Sequence, residues 1–76
     1  MALAVDDLAV NRQYIHKETN NVYEINAFVR SKNPDNGSWY DAILYTRVET
    51  GYSYVRSIES FLENFDNYDD TETVIL

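Results

Sequence analysis

The chain has no cysteine among its 76 residues. That excludes a disulfide and a thiolate metal site. Its one histidine, His16, cannot make a multi-histidine zinc site. Glycine is limited to Gly37 and Gly51, and proline to Pro34, so there is no glycine-rich phosphate loop. No run approaches the roughly 20 apolar residues of a membrane-crossing helix. Met1-Ala2-Leu3-Ala4-Val5 is apolar, but Asp6 and Asp7 cut it short, and it lacks the basic start of a secretion signal. Basic residues are scarce as well: six Lys and Arg stand against thirteen Asp and Glu, for a net charge of −7. This excess argues against direct binding to nucleic acid, where phosphates call for clustered cations. It keeps a small protein dissolved, and it also suits a basic protein surface. Together these absences predict a cytoplasmic chain without membrane segment, metal or cofactor.

What the chain does have is aromatic residues: seven Tyr, three Phe and one Trp. A single domain of this length buries only about 60% of its unfolded surface. Its core supplies roughly 3–5 kcal/mol unless something else supports it. With disulfides and metals excluded, support must come from aromatic packing or from self-association, and a homo-oligomer is expected.

The fold expected is mainly β: a small curled antiparallel sheet or SH3-like barrel of four or five strands, with one short helix near the C-terminus. Residues 1–11 form an arm or short helix, with Ala4, Leu8 and Asn11 on one side. Residues 12–66 form the β-rich domain, and 67–76 an acidic tail. Gln13-Tyr14-Ile15-His16 begins a strand, and Asn20-Asn21 marks a hairpin turn. Across 22–30 the parity Tyr23, Ile25, Ala27, Val29 is wholly apolar and should face the core. The segment Asn33-Pro34-Asp35-Asn36-Gly37 is the strongest turn signal. The strand after it, 38–48, carries apolar residues on both faces, as an interior strand does. Glu49-Thr50-Gly51 turns the chain into a short strand over 52–56. The period then changes: Ile58, Phe61, Leu62 and Phe65 share one side of a two-turn helix over 58–65. Ser57 is placed to cap that helix, with Glu59 in its first turn. Tyr23, Ile25, Val29 and this helical stripe are expected to share one dry interior. The tail ends in Val74-Ile75-Leu76, an edge strand for this sheet or for a neighbouring copy.

Several of these segments match an ordered set of motifs. Tyr14-Ile15-His16-Lys17, Val22-Tyr23-Glu24-Ile25, Ile43-Leu44-Tyr45 and Tyr54-Val55-Arg56-Ser57, followed by Phe61-Leu62-Glu63, resemble a family of small bacterial and phage domains of unknown function. That family is similar in strand count to SH3-like small barrels. The resemblance implies a phage accessory protein in the host cytoplasm. Tyr54 stands at the family's Trp position, which implies a largely buried ring whose loss would cost roughly 3–5 kcal/mol.

No catalytic constellation is present. His16 has no serine or cysteine nucleophile beside it in the sequence, and a strand histidine whose ring caps a turn is the simpler reading. Asp66-x-x-Asp69-Asp70 lacks the glycine and terminal glutamate of a calcium loop. The candidate binding residues are Arg56, Tyr54, Arg47, Arg30, Trp39 and His16. If the sheet curls, the three arginines converge beside aromatic rings and suit a nucleotide-like, phosphate-bearing molecule. The competing reading pairs each arginine with a nearby carboxylate such as Glu24 or Glu59. The expected function is therefore non-enzymatic: sequestration of a small nucleotide-like ligand by an anti-defence protein. The alternatives are an acidic inhibitor covering a basic surface of a host protein, and a structural or assembly protein.

Overall fold

In the computed structural model, which describes residues 3–68, the chain is a five-stranded antiparallel sheet with one short helix. The strands are β1 (Gln13–His16), β2 (Val22–Lys32), β3 (Trp39–Arg47), β4 (Ser53–Ser57) and β5 (Phe65–Asn67), and α1 (Ile58–Asn64) joins the last two. Their order is β4-β3-β2-β1-β5. The sheet is unclosed, so of the two expected architectures the open sheet forms and not the barrel. The expected terminal strand at Val74-Ile75-Leu76 lies outside the described residues.

Local chemistry explains most of the turns. Asn20 sits at φ 62 and closes the β1–β2 hairpin. Gly37 at φ 74 and Gly51 at φ 78 end the next two loops, in a backbone region that other side chains enter at a cost. Ser57 caps α1 by accepting the Ser60 N–H at 3.1 Å. The helix is shorter than its apolar period suggested. It ends at Asn64, and Phe65 begins β5, where His16 pairs with Phe65 and Tyr14 with Asn67. Phe65 is fully buried as expected, but on a strand. Asn67, expected in the tail, belongs to the same strand.

The core is aromatic. Tyr14, Ile25, Ile43, Tyr45, Phe61 and Phe65 are buried, with Leu3 from the arm, and Leu8, Tyr23, Ile58 and Leu62 pack around them. Phe61 and Phe65 stack with centroids 4.1 Å apart, and Tyr14 and Tyr45 meet Phe61 edge-on at 5.5 and 5.4 Å. The arm is docked instead of helical. It holds only a 3-10 turn over Val5–Asp7. The Tyr14 hydroxyl donates to the Asp7 carbonyl at 2.7 Å and accepts the Ala9 N–H at 2.9 Å. Asn11 at φ 70 then turns the chain, and its N–H bonds the Ile25 carbonyl at 2.7 Å.

The parity expected for β2 holds only halfway. Ile25 pairs with Tyr45, but the next pair is Ala27 with Leu44, so Asn26 is an extra residue in a β-bulge. The Thr46 hydroxyl donates to Asn26 Oδ1 and is shared with Ser53 Oγ. Past the bulge, Phe28 and Arg30 take the face of Ile43 and Asp41, and Ala27 and Val29 take the face of Leu44 and Val55. Val29 therefore does not join the core cluster. The hairpin β2–β3 also outruns its neighbours: β1 pairs only with Val22 to Glu24 and β4 only with Ala42 to Thr46. Beyond that, Arg30 to Lys32 and Trp39 to Asp41 pair with each other alone, as a two-stranded ribbon.

Candidate functional site

The β3–β4 hairpin places Tyr54 opposite Tyr45, and Arg56 opposite Ile43. Alternation puts Tyr54 and Arg56 on one face of β4, the face that carries the core. Tyr45 is buried and Tyr54 stacks on it, centroids 5.7 Å apart at 29°. Tyr23 meets Tyr54 edge-on at 6.0 Å. With Tyr45 against one side, Tyr54 remains 40% exposed, so the expected burial is not what forms. The reason is its place at the edge of the described sheet: β3 covers it from one direction and no described strand from the other.

Arg56 is held from three sides. Nε donates to the Tyr45 hydroxyl at 3.1 Å, Nη1 donates to Ser60 Oγ at 2.9 Å, and the guanidinium lies 5.5 Å from the Phe65 ring centroid. Asn64 Nδ2 donates to the Ser60 carbonyl at 2.8 Å, which ties the last turn of α1 to the same residue. Among the described residues no carboxylate pairs with Arg56. It thus presents a fixed positive charge beside a half-exposed ring. An open hollow of about 490 Å³ adjoins it, lined by Asn33, Tyr40, Val55, Arg56, Ser57 and Ser60 among others.

The other candidates do not all come here. Arg47 lies one same-face rung beyond Tyr45, where it donates to Asn21 Oδ1 at 3.1 Å and pairs with Glu49 at 3.0 Å. Arg30 pairs with Asp41 at 3.4 Å on the ribbon. Arg47 and Asp41 are six residues apart on β3, about 20 Å, so the three arginines do not converge. Two of them flank the Tyr45–Tyr54 pair, and the third is spent on its own hairpin. None of the three pairs with Glu24 or Glu59: Arg30 pairs with Asp41 and Arg47 with Glu49. Trp39 lies on the ribbon, 58% exposed, with Lys32 Nζ 5.8 Å from its ring centroid. His16 caps the β1–β2 turn, accepting the Glu18 N–H at Nδ1 over 3.3 Å, and its ring stands edge-on to Phe65 at 5.0 Å.

Tyr45 and Ser60 were missed as site residues. Tyr45 was legible, because a turn at Glu49-Thr50-Gly51 dictates that it opposes Tyr54. Ser60 was visible only as a helix residue, with nothing in the sequence to aim it at Arg56. Among the described residues no group of His, Asp or Glu is arranged to hold a metal ion. No described helix is long and apolar enough to cross a membrane. The chain matches no known protein family, no curated protein and no solved structure.

Proposed function

We propose that the domain is a non-enzymatic binding module that captures a phosphate-bearing, ring-containing small molecule of nucleotide type at Tyr54 and Arg56. The observation that carries this reading is the state of Arg56: its guanidinium is oriented by Tyr45 and Ser60 yet has no carboxylate partner among the described residues. A guanidinium fixed in advance loses little entropy on binding an anion. The exposed side of Tyr54 offers a stacking surface of the kind bases use. The resemblance to phage domains extends the proposal to an accessory protein that removes such a molecule from the host cytoplasm.

The test is thermal denaturation against a panel of nucleotides. A ligand at 100 times its Kd adds about 2.7 kcal/mol, which raises Tm by several degrees. Arg56→Ala is expected to abolish the shift, and Arg30→Ala to leave it intact. A panel that never moves Tm refutes the reading.

One observation favours a second reading, an acidic module that covers a basic protein surface. Asp41 and Glu59 border a hollow of about 440 Å³ whose other walls include Val5, Tyr40 and Ile58. An apolar side chain flanked by Lys or Arg fits such a hollow. This reading requires association that weakens steeply with salt, and a complex indifferent to salt excludes it. The assembly reading built on Val74-Ile75-Leu76 concerns residues outside the description.

A further inference from the structure

The ribbon leaves one side of β2 unpaired. On the β1 side, backbone bonds reach Ile25 through Asn11 and Arg12, and no described residue continues the ladder along residues 27–32. That is about 20 Å of open strand. Open edges are usually guarded by charges that repel an incoming strand. Here the two edge cations are both drawn onto their own molecule: Arg30 is paired with Asp41 at 3.4 Å, and Lys32 lies over the Trp39 ring. The segment Ala27-Phe28-Val29-Arg30-Ser31-Lys32 contains no carboxylate, no proline and no glycine. Its Phe28 side chain is 47% exposed. A two-stranded ribbon in water is marginal by itself and gains from a third strand.

We propose that this edge of β2 pairs with the same edge of a second copy, antiparallel about a two-fold axis at Val29, joining two five-stranded sheets. The register follows from charge. Centred on Arg30, the two guanidinium groups face each other directly, which like charges disfavour. Centred on Val29, each Arg30 lies opposite Phe28 of the other copy, an aromatic ring to which a cation is attracted. Val29 then meets Val29, and Ala27 meets Ser31, with no charge opposed. The interface is isologous and closes after two copies. It leaves Tyr54 and Arg56 at the opposite edge of the sheet, so it neither requires nor blocks the proposed ligand site.

Solution mass by sedimentation or light scattering, across protein concentration, tests the pairing on the full chain. A dimer is expected, and Val29→Lys, which sets two ammonium groups opposite each other, weakens it on the order of tenfold or more. Val55→Lys on the far edge strand leaves the dimer intact. A wild-type chain that stays monomeric at every concentration overturns the proposal. So does a dimer that ignores Val29→Lys and dissolves with Val55→Lys. Amide exchange on the wild type gives a readout independent of any variant's folding. Exchange in residues 27–32 slows as concentration rises if the edge pairs, and stays constant if it does not.

Discussion

The two ends of the β2–β3 hairpin have similar composition and opposite fates. At one end Ile25 and Tyr45 face each other with 0% and 4% of their surface exposed; at the other Phe28 and Trp39 keep 47% and 58%. Both ends carry apolar and aromatic residues and pair strand to strand. They differ in what lies over them. At the first end Tyr45 packs on Phe61 of α1 and Phe65 of β5; at the second, Arg30 to Lys32 and Trp39 to Asp41 pair only with each other among the described strands. Hydrophobic alternation marks which residues are able to form a core. A third element decides which of them do.

That contrast breaks most severely at Phe61. It is fully buried and stacked on Phe65, so Phe61→Ala is expected to cost about 3–5 kcal/mol and to abolish cooperative melting by circular dichroism. Next is the arm's attachment. Tyr14→Phe keeps the ring but strands the Asp7 carbonyl and Ala9 N–H, at about 1–3 kcal/mol, and should expose the arm to limited proteolysis. The same phenol has a pH signature. Burial raises it above its ordinary value of 10.0, outweighing the lowering by the Ala9 hydrogen bond and the Arg12 charge. The folded state therefore holds that proton more tightly than the unfolded chain. Its contribution is complete below pH 10 and is lost as pH climbs through the raised value. Denaturant titrations should show this alkaline loss in the wild type and less of it in Tyr14→Phe.

Tyr54→Ala sharpens the comparison at an intermediate site. Its ring is 40% exposed, so the cost should fall to roughly 1–2 kcal/mol, below the cost of a buried aromatic. A loss as large as that of Phe61→Ala would mean that the edge of the sheet is covered. Ser57→Ala removes the cap of α1 for about 1 kcal/mol. At the far end of the scale, Trp39→Ala should change monomer stability by no more than about 0.5 kcal/mol, measured in the same melts.

The strands, the helix cap and the turns were legible because each rests on local chemistry: Ser57 beside an amphipathic stripe, and Gly37 and Gly51 where φ is positive. The aromatic core was legible in composition. What escaped depended on long-range pairing. Nothing in Glu24-Ile25-Asn26-Ala27 announces a bulge, so Val29 was placed inside. The apolar spacing that made Phe65 the last helical residue serves equally for the first residue of β5. The convergence of Arg30, Arg47 and Arg56 assumed a tighter curl than an unclosed sheet has, and it overlooked Asp41, which the ribbon pairing sets against Arg30.

Asn26 has a consequence for how the projecting arm of the sheet is aimed. Counted along the ladder, it is surplus: with Asn26 removed, Ile25 would still meet Tyr45 and Ala27 would still meet Leu44. The partners on either side would be unchanged, while the added bend and twist that a bulge brings would disappear. The direction in which the hairpin tip points is thus adjustable by one residue without rewriting any of the contacts it carries.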